Sequence, residues 1–421
     1  MSDLGAELHA HVESLFPLCR SITGQGLRAT LRYIGDRVPL RVTEVPSGTA
    51  VLDWTVPLEW TIRDAAISRL DGERIIDFQR SNLHLLQYSH PIDRIVSCEE
   101  LDAHLYSLPG QPNLIPYRTS YYSEAWGFCL AHRDRLALKE DRYHVLIDSA
   151  LEPGGLSYGE CVLVGELDKE VLISAHCCHP SLANDNVSSI AVAVELVRAL
   201  SKLPRRFTYR FLFAPGTIGA IAWLHFNRDA PERVRHGLVL SCLGDSAAPS
   251  YKRSRRGDAP IDRYAAAVLQ EEGHGDRILP FVPMGYDERQ YCSPGFNLPM
   301  GCLMRSPGGT FPEYHTSADN PRFVRPEALA DSLRVLRRIV TMIEGDGVWC
   351  STCPFGEPQL GRRGLYPPAG GSDMAALLWV MNLADGQRSL LEMAERSGKS
   401  FEQIAAAAAV LAGSGLLVRA E

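Results

Sequence analysis

Two short segments hold the residue types from which a metal site can be built. The first is Ser174-Ala-His176-Cys-Cys-His179-Pro-Ser-Leu-Ala-Asn-Asp185-Asn186. It follows an apolar run over 170–175 that reads as a buried strand, and it leads into helical spacing over 187–203. In open α/β sheets, ligands gather beyond the carboxyl ends of the strands. A histidine just past such a strand and an aspartate nine residues later, at the start of a helix, can converge on one ion. Imidazole and carboxylate together suit Zn²⁺. Each residue alone is ordinary: His176 and His179 would pass as loop histidines and Asp185 as a helix cap. The clustering at a strand end favours the metal. The second segment is Pro312-Glu313-Tyr314-His315-Thr316-Ser317-Ala318-Asp319. His315 is the candidate third ligand, with Asp319 orienting its imidazole. The plainer alternative is a surface loop with a Ser/Thr turn.

The elements around these segments fall into zones. Residues 1–45 begin with helical spacing at Leu8, Val12, Leu15 and Phe16, then a second helix over 27–38. From 46 to 149 the chain is rich in aromatic and β-forming residues. Short runs at 51–60, 75–78 and 115–122 are separated by turn signals such as Asp71-Gly72 and Pro109-Gly110, which predicts a β-rich module. Strand-like and helical runs then alternate up to about 345: strands at 161–165, 170–175, 209–214 and 237–243, helices at 187–203 and 218–227. The pattern predicts a doubly wound, mostly parallel α/β sheet formed by 1–45 and 150–345, with 46–149 inserted. After 346 come helices at 389–396 and 401–412 and a strand at 416–418, the outline of a winged helix.

Composition narrows the function classes. The 421 residues carry 43 Lys plus Arg against 50 Asp plus Glu, a net charge of -7, with 45% hydrophobic residues. That is a soluble globular balance of two or three domains. It is a poor basis for nucleic-acid binding, and the helix over 401–412 has no Lys or Arg. No apolar run approaches a membrane span, and the N-terminus shows no secretory signal. Eleven scattered cysteines then fit reduced thiols in a cytoplasm. The lone Cys350-Ser-Thr-Cys353 is read as structural.

Taken together, these strings resemble the zinc aminopeptidase-like family, which includes leucyl aminopeptidases and glutaminyl cyclases. The closer likeness is to a bacterial subgroup with an inserted β module and a C-terminal winged helix. The resemblance spans nearly the whole chain. It is carried by Trp54-Thr-Val-Pro-Leu-Glu-Trp60, Pro116-Tyr-Arg-Thr-Ser-Tyr-Tyr122, Cys178-His-Pro-Ser-Leu-Ala-Asn-Asp-Asn186, Asp287-Glu-Arg-Gln-Tyr-Cys-Ser-Pro294, Tyr314-His-Thr-Ser-Ala-Asp319 and Gly356-Glu-Pro-Gln-Leu-Gly361. It implies His176 or His179, Asp185 as the bridging carboxylate and His315 as ligands. Asp245 is a further candidate beyond the next strand. The family carries two adjacent glutamates, a general base and a metal ligand, where this chain has Gly216 and Thr217. Glycine cannot accept a proton, and loss of a general base lowers rates by about 10²- to 10⁴-fold. One zinc is therefore expected rather than two.

Gly216 leaves three alternatives: a binder that does not hydrolyse, an enzyme with another base such as Glu313, or a substitution that traps a complex. The expected activity is hydrolysis of an aminoacyl or peptide-like amide in a biosynthetic pathway. Asp287, Glu288 and Glu313 are candidates for holding a substrate amino group, Arg289 for a carboxylate and Tyr291 for packing or hydrogen bonding. The inserted module is expected to cover the active-site face or to make a subunit contact, which leaves a homo-oligomer open.

Overall fold

The computed structural model describes residues 2–366 and 373–420. The chain divides into two compact units, Met1–Leu336 and Arg337–Glu421. The first is built on an eight-stranded sheet. Its strands are β1 (Arg41–Pro46), β2 (Gly155–Leu163), β3 (Leu167–His176), β4 (Phe207–Ala214), β5 (Val234–Leu240), β6 (Ser250–Lys252), β7 (Ile278–Leu279) and β8 (Met300–Met304), in spatial order β1-β2-β4-β3-β5-β8-β6-β7. The central β4-β3-β5-β8 run is parallel throughout, while β1 and β2 join it antiparallel. The fold is mixed α/β with a large, mostly parallel sheet, in line with the alternating pattern of the sequence.

The strands are parallel where both faces are covered. From Glu170 to His176 every residue of β3 is buried, which is why that stretch reads as continuous apolar sequence and not as an alternation. The helix Ser189–Leu200 covers one face, with all but its Arg198 and Ala199 buried. The helix Ile218–Phe226 is apolar all round and buried from Ile218 to Leu224. Charge inside this layer is paired. Arg210 on β4 reaches Glu160 on β2 and Glu170 on β3, both at 2.8 Å, and Trp223 donates its indole N–H to Glu160.

Within 46–152 lies a separate antiparallel sheet of four strands, Arg74–Asp77, Glu59–Ser68, Arg142–Glu152 and Ile92–Ser97 in that order. The run over 115–122 is not a strand, contrary to expectation. It makes only isolated bridges, Pro116 to Thr316 and, through Thr119, to Gln87. Its backbone groups are divided between the loop that carries His315, through Ile115 and Tyr117, and Gln87, through Arg118 and Ser120.

The second unit has the winged-helix outline. Strand Val348–Ser351 lies between Asp385–Ser389 and Leu417–Arg419, beside helices Met374–Leu383, Leu390–Ser397 and Phe401–Gly413. Two of these helices start on reciprocal capping boxes, Ser389 with Glu392 and Ser400 with Gln403. Ser400→Ala should lower the stability of this unit by about 1 kcal/mol. Thermal melting followed in this unit checks that, and an unchanged midpoint would show the cap to be idle.

Candidate metal centre

The segment between β3 and the following helix is a buried turn, Ala183–Ser188, with Asp185 at its centre. Its neighbours tie it to the strand ends. Asn186 donates its side-chain amide to Leu240 O (3.0 Å) and accepts from Cys242 N (3.1 Å). Asn184 accepts from Gly244 N, and Ser188 accepts from Leu243 N. Asp319 accepts the backbone N–H of both Asn184 (2.6 Å) and Asp185 (3.0 Å). With its backbone groups bonded on both sides, the turn presents the Asp185 carboxylate at the carboxyl edge of the sheet. This alters the part expected of Asp319, which braces the Asp185 turn and makes no bond to the His315 ring.

Around Asp185 stand three imidazoles. His176 Nε2 lies 3.0 Å from Oδ1, while His315 Nε2 and His179 Nε2 lie 3.0 and 3.7 Å from Oδ2. Four of the five residues nominated as ligands from the sequence, His176, His179, Asp185 and His315, are thus brought together. His315 has a left-handed backbone, φ 55°, uncommon for a non-glycine residue. Its carbonyl accepts Tyr117 N at 2.7 Å, and Ser317 N donates to Ile115 O, so the inserted module holds that loop. Tyr117 also sets its ring about 5 Å from both His179 and His315 (5.0 and 5.1 Å between centroids).

The donor set fits a metal ion. One donor atom from each of His179, Asp185 and His315 lies within 4.8 Å of the other two, and His176, Cys178 and His179 form an overlapping group. His176 Nε2 is buried and makes no aligned hydrogen bond. Burial pushes the His179 imidazole well below its ordinary pKa, which keeps its lone pair free. Burial alone would raise the Asp185 carboxyl, but its electrostatic coupling to His179, its short contact with His176 and its hydrogen bond with His315 hold it well below the usual range. Burial lifts Cys178 in the other direction, so it is a thiol here.

Three tyrosines close the site. Tyr286 donates its hydroxyl to Asp185 (2.6 and 2.7 Å to the two oxygens), and that hydroxyl lies 3.4 Å from His179 Nε2. Its ring stacks on His176, 4.1 Å between centroids, as that of Tyr314 does on His315 at 3.9 Å. Nothing in sequence spacing marked Tyr286, whose only signal is its place beside Asp287.

The other nominated residues are placed differently. Asp245 is not in the donor set: its carboxylate accepts from Asn184 Nδ2, Ala247 N, Ser306 N and Ser306 Oγ, a full complement that braces the loop. Tyr291 is a core residue, fully buried with its hydroxyl on Ser174 of β3, so it has no surface to offer a substrate. Arg289 is exposed on the short helix Glu288–Tyr291. Glu313 is half-buried, and the neighbouring Thr316 uses its carbonyl, not its carboxylate. Asp287 is 1% exposed with both carboxylate oxygens unpartnered. Burial pushes its carboxyl up to about 7, with the His176 charge opposing. A Cβ on Gly216 would lie 3.3 Å from its Oδ1 and 3.3 Å from the His176 Cβ. Asp287 therefore borders the space that a side chain at 216 would enter.

Comparison with known proteins agrees with this fold. A curated protein of Clostridium acetobutylicum, named for polysaccharide biosynthesis and an aminopeptidase-like domain, is 46% identical over 415 residues, covering 97% of this chain and 95% of that protein. A solved C. acetobutylicum structure that carries a peptidase name superposes with TM-score 0.95 at 45% identity, covering 99% and 97% of the two chains. The zinc aminopeptidase of Bacillus subtilis shares the fold at TM-score 0.60 and 13% identity, over 80% of this chain and 94% of its own. A peptidase M28 precursor of Shewanella amazonensis does so at 0.55 and 14%, over 82% and 95%. Residues 347–419 match the winged helix-turn-helix family. Residues 9–346 match the family described as domain of unknown function DUF4910, and with an aminopeptidase-like fold around its candidate metal centre the chain belongs to that family.

Proposed function

We propose that the protein is a zinc-dependent hydrolase of an aminoacyl or other peptide-like amide in a biosynthetic pathway. In this reading Asp287 takes the proton that a glutamate at position 216 would otherwise receive. The observation that carries it is one constellation: three imidazoles around Asp185, and a buried carboxylate without partners bordering the empty position at 216. Zinc, when bound, supplies a water of lowered pKa and polarises the amide carbonyl. The chain's own residues do the rest. His179, His315 and Asp185, with His176 beside them, hold the ion. A carboxyl with a pKa near 7 is suited to accept a proton and pass it to the leaving amine. The rings of Tyr117, which is buried, and of half-buried Tyr286 and Tyr314 restrict the access of bulk water. A single ion is the stoichiometry that fits, since Thr217 and Ser241 are poor ligands and Asp245 is bonded elsewhere. The fold of the zinc aminopeptidases and the name of the C. acetobutylicum relative support the same class. A small peptide-like substrate and a cytoplasmic setting belong to this reading. No helix among the described residues is long and apolar enough to cross a membrane. The winged-helix unit is assigned to packing or protein docking, because helix Phe401–Gly413 offers no cation to phosphates.

A second reading, a metal-holding binder that does not hydrolyse, is favoured by the Tyr286 hydroxyl, which lies within bonding distance of both Asp185 oxygens. One assay separates the two. Zinc-loaded protein, Asp287→Asn and Gly216→Glu are compared on aminoacyl 4-nitroanilides. Turnover by the unaltered chain that is lost in Asp287→Asn supports the hydrolase. Turnover by Gly216→Glu alone supports the binder. Failure to take up zinc overturns both.

A further inference from the structure

A cavity of about 520 Å³ opens beside the candidate metal centre, and Tyr286 and Tyr314 belong to both. Its walls are largely apolar, from Leu279, Val282, Met284 and Met304, but an ion pair is set into them. Lys252, 5% exposed at the end of β6, donates to Glu288 Oε1 at 2.5 Å, and Glu288 is 1% exposed. The bonding of this pair is incomplete. Oε1 also accepts Tyr286 N (3.2 Å), whereas Oε2 is buried without a partner. Lys252 spends one further proton on Met284 O at 2.6 Å, which leaves one of the three donors of an ammonium. Gly285, at φ 127°, covers one side of the pair so closely that a Cβ there would lie 2.5 Å from Oε1 and 2.7 Å from Nζ. Both members of the pair line the cavity.

A buried acceptor and a spare donor on a pair of zero net charge define what completes them. A charged group would leave one member of the pair facing a like charge in a dry pocket. A wholly apolar group would leave Oε2 unsatisfied. A neutral group that both donates and accepts satisfies both members. The geometry points to a substrate subsite here, taking an arm that is aliphatic along its length and ends in an uncharged hydroxyl or carboxamide. Lys252 and Glu288 determine specificity and take no part in the chemistry. This inference rests on the hydrolase reading only in treating the adjacent site as the place where the reacting group is held.

The test uses full-length protein and a set of hydroxamic acids that share one n-butyl arm and differ at its end: methyl, hydroxyl, carboxamide, carboxylate or ammonium. On zinc-loaded protein, calorimetric titration should rank a hydroxyl or carboxamide end at least about tenfold tighter than either charged end. Which of the two leads identifies the group. Lys252→Met combined with Glu288→Leu exchanges the pair for apolar groups of similar volume, and should turn the preference to the methyl end. Val282→Trp, at the exposed rim, should weaken every acid and keeps the test decisive if the double variant does not fold. Equal binding of neutral and charged ends, or an order unchanged in the double variant, overturns the subsite. The metal reading is scored separately. Without zinc uptake that reading fails, yet the same acids on chelated protein, followed by ligand-observed NMR, must still rank by their ends. If none binds in either form, the subsite is overturned as well.

Discussion

Asp185→Asn should reduce zinc affinity by more than about a hundredfold, beyond the roughly 10–100-fold that losing a supporting partner costs. The argument is geometric. Among the described residues, Asp185 is the one carboxylate that all three imidazoles approach, with one oxygen facing His176 and the other facing His179 and His315. It is fully buried and brings the one firm negative charge of the set, since burial keeps Cys178 protonated and raises Asp287 to near neutrality. Asparagine preserves the volume and one oxygen but removes the charge, and its amide N–H groups would face imidazole donors. Competition against a chromophoric chelator measures the effect. Zinc affinity within a few-fold of the unaltered protein would mean that Asp185 serves only the hydrogen bond from Tyr286, and the metal centre would have to be abandoned. The variant should still fold, because Asn184, Asn186 and Asp319 hold the turn without the Asp185 side chain.

Asp287→Asn should separate activity from stability. Turnover is expected to fall by about 10²- to 10⁴-fold, the contribution of a positioned proton acceptor. Stability of the metal-free protein should move the other way above neutral pH. The folded-state pKa of Asp287 is raised from 3.8 to about 7, chiefly by burial. A carboxyl raised in the fold is most favourable when protonated, so its contribution is fully present below about 3.8 and is lost as pH rises to about 7. Asparagine cannot ionise, so the variant should escape that loss and melt at least about 2 °C higher than the unaltered chain at pH 8. Near pH 4 the two should be equal. Melting curves across that range give the sign directly. A variant less stable at every pH would show that the Asp287 carboxylate is bonded in the folded protein, and its role as proton acceptor would fall with that.

Much of this was legible from residue order, for reasons that can be named. His176 ends β3 because the unbroken apolar run is a strand buried on both faces, and its end is where the main chain leaves the sheet. The helix predicted over 187–203 exists but is shorter, Ser189–Leu200, because 183–188 is taken up by the turn that aims Asp185. The aromatic run over 115–122 misled. Its side chains suit a strand, but its backbone partners are split between the His315 loop and Gln87 instead of lying along one neighbouring strand. Asp245 and Tyr291 misled as well, for the nature of a residue does not say whether its polar atoms are already spoken for.

The order of residues determined the elements, the donor types and the empty position at Gly216, because helix and strand periods and capping residues act over a few neighbours and leave their mark in the chain itself. Tertiary structure alone decided that Tyr117 from the inserted module, Tyr286 and Tyr314 enclose the histidines, that Asp319 braces Asp185, that Asp287 borders position 216, and that the Lys252–Glu288 pair lines a cavity. Those pairings depend on a sheet in which β3 lies between β4 and β5, so loops distant in the chain meet at one edge. Burial and bonding there are set by every element that closes over the site, and no local stretch of sequence carries that information.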